Sequence, residues 1–224
     1  MPTVSGQSAI PKVDTPVNYG VVLYPYFQAL DVFGSLDPLN SLAFEYHLNL
    51  YIIAATLDPV STRPPDDENP KKSDFAQSIV PTHTFETAPP LDVLIVPGGR
   101  ADQAVVDFIA KLYPSLKYLF TVCTGSGIAA RAGVLDGKQA TTNKMEWEKT
   151  IALRPQVTWI THARWVVDGN IWTSSGVSAG MDAMLAFIAE IYGKGHAEKI
   201  SNYLEYKRHE DSKWDPFSDL YGLK

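Results

Sequence analysis

The sequence has a single cysteine, Cys123, so no disulfide can close within the chain, a usage that fits a reducing compartment. It has no block of lysine or arginine and a formal net charge of −6, so the electrostatic footprint for a phosphate backbone or an anionic lipid surface is missing. No apolar run approaches the roughly 20 residues needed to span a bilayer. The stretch from Met1 to Tyr19 carries Pro2, Ser5, Gln7, Pro11, Asp14 and Pro16 and lacks the continuous apolar core of a signal peptide. Metal-ligand spacing is absent too: His47, His83, His162, His196 and His209 are scattered, and each reads as a surface or packing residue. These absences predict a soluble, cytoplasmic protein with no nucleic-acid or membrane partner and no metal.

What is present is enough apolar material for a sizeable core: 45% of the 224 residues are hydrophobic, 11% aromatic and only 20% charged. The pattern predicts a polar arm over residues 1–18 followed by one α/β domain over 19–224. Tyr19 to Tyr24 (YGVVLY), Leu48 to Ala55, Leu91 to Val96 (LDVLIV) and Tyr118 to Val122 (YLFTV) are short apolar runs closed by prolines, glycines or charges, and read as buried strands. Helical spacing covers 30–44, 101–113, about 126–132, about 144–151, about 178–192 and about 194–206. Weaker strands are expected at 140–142 and 157–160. Asp168-Gly169, between 163–167 and 170–173, is a hairpin signal. Asp58 to Asp74 clusters prolines and charges without periodicity and reads as an insertion loop, either a lid or, the commoner case, a solvated excursion. Strands alternating with helices predict a mostly parallel sheet with helices on both faces and one β-hairpin.

In such sheets ligands bind beyond the carboxyl ends of the strands. Cys123 stands at one of these ends, between an apolar strand and a helix, where helix amides favour an anion and are expected to lower the thiol pKa. Thr124, Gly125, Ser126 and Gly127 permit the sharp turn of a nucleophile elbow. The plainer reading, a buried structural cysteine, has the weaker claim at such a turn. Gly98 and Gly99 end a neighbouring strand, and an amide there, with that of Thr124, would make an oxyanion-type hole beside the sulfur. Asp31, in the apolar stretch Ala29 to Phe33, is either a helix cap or an inward-pointing acid. Facing Cys123, it would share a proton with the thiol, have a raised pKa and serve as a general acid. The run Gly125 to Ala130 also matches a dinucleotide-binding fingerprint, but Gly133 stops the helix after about two turns and Glu146 lies in a helical segment, so the match reads as accidental.

The blocks LDVFG (30–34), DVLIVPGG (92–99), VCTGSGIAARAGVLDGKQATT (122–142) and ARWVVDGNIWTSSGVSAGMD (163–182) resemble the ThiJ/PfpI superfamily, and within it the isocyanide (isonitrile) hydratases and their fungal relatives. The resemblance runs from about Tyr19 to Tyr192. It implies a flavodoxin-like, class I glutamine amidotransferase-like fold and a homodimer. It also implies a nucleophile at Cys123, an acid at Asp31 and oxyanion amides at Gly99 and Thr124. The activity implied is hydration of an isocyanide to an N-substituted formamide. A glyoxalase-type reaction on 2-oxoaldehydes and a redox-sensing role for the same cysteine are the alternatives. Asn143 stands where many superfamily members carry a histidine, which argues against peptidase chemistry and weighs against the glyoxalase type. Ser35 replaces a proline of the hydratase pattern, and the arm, the 58–74 insertion and the tail around Trp214 to Phe217 are extra to it.

Overall fold

Short β-branched runs become the centre of the sheet, as their burial on both faces requires. The computed structural model describes residues 15–223. In chain order its strands are β1 (Asn18–Val22), β2 (Asn49–Ala54), β3 (Val60–Ser61), β4 (Ser78–Ile79), β5 (His83–Thr84) and β6 (Val93–Val96). They continue with β7 (Tyr118–Thr121), β8 (Gln139–Ala140), β9 (Thr158–Trp159), β10 (Trp165–Asp168) and β11 (Ile171–Ser174). The α-helices are α1 (Ala29–Leu42), α2 (Gln103–Leu112), α3 (Gly125–Arg131), α4 (Trp147–Ile151), α5 (Ala179–Ile191), α6 (Lys194–Tyr203) and α7 (Pro216–Leu220).

The main sheet has the order β10-β11-β7-β6-β1-β2-β5. All neighbours are parallel except β10 and β11, which pair Asp168 with Ile171 across the expected hairpin. β6 is buried along its whole length, and Val21, Val22, Ile53, Leu94, Leu119 and Phe120 complete the centre of the core. Two groups of helices flank the sheet: α1, α5 and α6 pack together, as do α2 and α3. The chain starts in the middle of the sheet with β1, runs outward to β2 and β5, then returns to β6 on the other side of β1. Strand order therefore reverses between β1 and β6, and the crevice beyond their carboxyl ends is where a doubly wound sheet places its ligand.

Three features depart from the sequence pattern. The weak strands β8 and β9 pair only with each other, outside the main sheet. β5 adds an edge beyond β2, in a stretch whose prolines mask the strand. The 58–79 segment folds back on itself, with β3 antiparallel to β4. Of the polar arm, residues 1–14 lie outside the described residues; Val17 and Asn18 donate backbone hydrogen bonds to Asp92 Oδ2 at 2.8 and 2.9 Å and lead into β1.

Candidate active site

β7 ends at Thr121, and the chain must turn within three residues to start α3. Cys123 takes that turn with φ 58°, a left-handed conformation that costs a non-glycine residue on the order of 1–3 kcal/mol. The surroundings impose it. Cys123 N–H donates to Ser175 O at 3.0 Å, and the Cys123 carbonyl accepts from both Ser126 Oγ and Thr142 Oγ1 at 3.1 Å. A Cβ on Gly125 would lie 2.2 Å from Val96 O, so the elbow approaches the end of β6 as closely as only glycine permits. Strand packing thus holds the thiol at the carboxyl edge of the sheet.

Asp31 is the third residue of α1, fully buried and aimed inward; it is not the helix cap, a position taken by Gln28. Its Oδ2 accepts from Gly98 N–H at 2.7 Å, and its Oδ1 has no partner among the described residues. Gly98 marks the meeting point. A Cβ there would stand 2.8 Å from Asp31 Oδ2, 2.9 Å from Thr124 Oγ1 and 3.0 Å from Cys123 Cβ. The structure therefore brings together Cys123, Asp31, Gly98, Gly99 and Thr124. Gly99 N–H donates to Thr124 Oγ1 at 3.1 Å. With Gly98 N–H given to Asp31, both glycine amides have acceptors inside the protein, and the Thr124 hydroxyl keeps its own hydrogen to donate.

Burial pushes the Asp31 carboxyl up to about 7, against the opposing pull of the Gly98 amide. The expected lowering of the thiol pKa is overturned. Burial, reinforced by the nearby Asp31 charge, pushes Cys123 up to about 11, and the donors that oppose it, the Val177 and Thr124 amides and the Asn143 side chain, do not compensate. α3 has only seven residues, and its amino end offers the sulfur little more than the Thr124 amide. The resting thiol is protonated at neutral pH, beside a carboxyl that titrates there.

Two residues make contacts at the site that the sequence reading does not assign. Asn143 is no vacancy: its Nδ2 donates to Cys123 Sγ at 3.2 Å, while its Oδ1 accepts from Met145 N–H at 2.9 Å and Glu146 N–H at 3.1 Å. Asn is a usual residue for such a side-chain-to-backbone turn, here in the loop that leads into α4. Tyr24, wholly buried, donates to Pro97 O, and burial together with the Asp31 and Cys123 charges holds its hydroxyl well above the ordinary range. No local signal distinguishes it from a core tyrosine.

Sγ faces a cavity of about 800 Å³ whose walls include Tyr26, Thr62, Glu68, Phe75, Met145 and Lys149. The 58–74 insertion is thus part of the wall. Behind Asn143 lies a second, smaller cavity of about 240 Å³, bounded by Ser175–Ser178 and by Phe217 and Tyr221 of the tail. The tail is anchored by Asp215, which meets Lys144 Nζ at 3.1 Å in a wholly buried ion pair and accepts from Ser175 Oγ at 3.2 Å. None of the five histidines lines the thiol cavity.

The chain is similar to known proteins over most of its length. The isonitrile hydratase of Pseudomonas putida is 34% identical over 193 residues, covering 84% of this chain and 77% of that protein. The HTH-type transcriptional regulator GbdR of Pseudomonas aeruginosa is 29% identical over 209 residues; they make up 88% of this chain, which spans about half of the regulator, 53% of its length. The crystal structure of a ThiJ/PfpI family protein from Pseudomonas syringae superposes with a TM-score of 0.72 at 30% identity, covering 92% of this chain and 83% of that one. The pattern that defines the DJ-1/PfpI family matches residues 21–190, from the first strand through the elbow to the helix behind it, and the chain belongs to that family.

Proposed function

We propose that the chain is a cofactor-free, cysteine-dependent hydratase that adds water to an isocyanide. The observation that carries this reading is a thiol on the wall of an open cavity, with a buried carboxyl behind it whose Oδ1 has no partner among the described residues. A carboxyl that titrates near neutrality can take the thiol proton and return it within one turnover. Sγ attacks the terminal isocyanide carbon, forming the S–C bond, while the thiol proton passes through Asp31 to that carbon. The product is a thioimidate. Water then adds to the same carbon, leaving its hydroxyl on carbon and one proton on nitrogen; as the S–C bond breaks, the hydroxyl proton passes through Asp31 to sulfur, releasing the N-substituted formamide and the thiol. Asn143, Thr124 and Val177 donate to the sulfur as it gains and loses charge.

The similarity to isonitrile hydratase supports the substrate class. The raised thiol weighs against a redox sensor, which depends on a standing thiolate. An assembly of two chains belongs to the reading, supported by three partly exposed apolar side chains, Leu30, Phe33 and Leu50, around a groove of about 410 Å³. Light scattering should give twice the 24.7 kDa chain mass. The deciding experiment incubates the protein with an alkyl or aryl isocyanide and, separately, with methylglyoxal, and follows products by NMR. Formamide that disappears in Cys123→Ala supports the proposal. Turnover of methylglyoxal alone, or of neither, rejects it.

A further inference from the structure

We propose that the 58–79 excursion is the specificity element of this site, and that Phe75 and Met145 bind the substrate's organic substituent, an uncharged apolar group of about phenyl size. The inference rests on Cys123 being the nucleophile that the proposed function makes it.

Isolated exposed hydrophobics are ordinary, but two large ones at the mouth of one cavity are informative. Phe75 is 90% exposed and Met145 is 72% exposed, and both line the cavity that holds Cys123. Phe75 belongs to the excursion and Met145 to the loop in which Asn143, two residues earlier, donates to the sulfur. The mouth therefore joins an element of the insertion to an element of the thiol's own support.

The excursion is also fastened over the cavity. Tyr26 N–H donates to Ser61 O at 2.9 Å, and Arg100 Nη1 meets both Asp67 and Glu68 at 3.2 Å. Its two legs are tied to each other where Thr62 N–H donates to Gln77 O at 2.9 Å and Gln77 N–H donates to Thr62 Oγ1 at 3.0 Å, two residues from Phe75. Tyr26 itself sits at φ 65°, so the strand end that receives the excursion is strained in the way functional sites often are.

Charge argues against an anionic ligand. The ionic side chains on the cavity wall are Glu68, Arg100, Glu146 and Lys149, and they pair internally, Arg100 with Glu68 and Lys149 with Glu146. Both cations of the wall are thus engaged, and neither is left to recognise an anionic substituent. Apolar surface at the rim is left to be covered, and an apolar group on the reacting carbon's partner atom covers it.

The test reads selectivity in two independent ways. In the first, kcat/KM is measured for benzyl and methyl isocyanide, and Phe75→Ala is expected to lower the benzyl-to-methyl ratio about tenfold, the loss for uncovering one apolar contact. Met145→Ala should act in the same direction, Phe75→Leu should restore part of the ratio, and Phe44→Ala, exposed elsewhere, should leave it unchanged. In the second, Cys123 is alkylated with N-benzylmaleimide and N-methylmaleimide and followed by intact mass; the single cysteine makes the label unambiguous. The benzyl-to-methyl rate ratio should fall about tenfold in Phe75→Ala. A ratio unmoved by both substitutions overturns the proposal, as does failure of either maleimide to label the thiol. If no isocyanide is hydrated while the maleimide ratio falls, the hydratase reading fails and the specificity element stands. If isocyanides are hydrated with an unmoved ratio, the reverse holds.

Discussion

Asn143 Nδ2 stands 3.2 Å from Cys123 Sγ, and its own orientation is fixed because Oδ1 caps the backbone N–H groups of Met145 and Glu146. The amide can be placed only one way round, since the opposite assignment would point an NH₂ at two N–H donors. A histidine at this position would accept or donate according to pH. An asparagine always donates, so the sulfur has a neighbour that steadies negative charge without competing for its proton.

The first prediction follows from that contact. A hydrogen bond to a charged group contributes roughly 1.5–3 kcal/mol, so Asn143→Ala should slow alkylation of Cys123 by iodoacetamide at pH 8 at least about tenfold. Asn143→Asp should slow it further, because a second carboxylate joins Asp31 beside the sulfur. The rate-against-pH curve checks both: the midpoint should move up in each variant, and an unmoved midpoint assigns Asn143 to loop structure alone.

Asp31 makes the second prediction one of stability. Its pKa rises from 3.8 to about 7 on folding, so the folded state holds the proton more tightly than the unfolded chain. The contribution from the protonated form is complete below about pH 4 and disappears as pH climbs to about 7, a swing of up to about 4 kcal/mol. Asp31→Asn should therefore melt higher than the parent at pH 8 and nearly level with it at pH 4, while losing turnover. Melting curves across that range test the sign.

At Gly98 the third prediction separates chemistry from folding. A methyl group there would sit within 3.0 Å of Asp31, Thr124 and Cys123 at once. Gly98→Ala should reduce turnover by more than about tenfold through displacement of the reacting groups, with a stability loss in the usual overpacking range of about 1–3 kcal/mol. Activity retained alongside a wild-type melting curve would show that the three side chains do not converge as described.

The buried ion pair supplies the fourth. Burial lowers the Lys144 pKa although Asp215 opposes it. Removing one member strands the other, so Asp215→Ala should cost about 3–5 kcal/mol in urea unfolding. Replacing both by apolar residues, Lys144→Met with Asp215→Leu, should cost less than the sum of the single changes, which a double-mutant cycle reads directly.

Much of the fold is legible in residue order because its signals are local. Apolar runs such as Leu91 to Val96 stop at turn residues, and Gly133 closes α3 with φ 76° where the helical pattern ends. The place of Cys123 is legible for the same reason, two residues past the end of β7, whereas Asp31 stands out as an acid in an apolar stretch after β1. The thiol's protonation is not, because it follows from burial at 7% exposure and from a carboxylate 92 positions away in sequence, and neither appears in the local pattern. Tyr24, the walls supplied by Thr62 and Phe75, and the Lys144–Asp215 contact are hidden likewise. Each depends on segments that meet only after the sheet has formed.

The anchoring of the tail also sets an order of events. A chain is made from its amino end, so the loops bearing Cys123 and Asn143 emerge before Ser212, whose carbonyl accepts from Arg164 N–H, and before Asp215, which neutralises Lys144. Until that last segment arrives, Lys144 has no carboxylate and the loop from Thr141 to Glu146 lacks its brace. The loop that bears Asn143 therefore gains its last buried contact only when synthesis has passed residue 215.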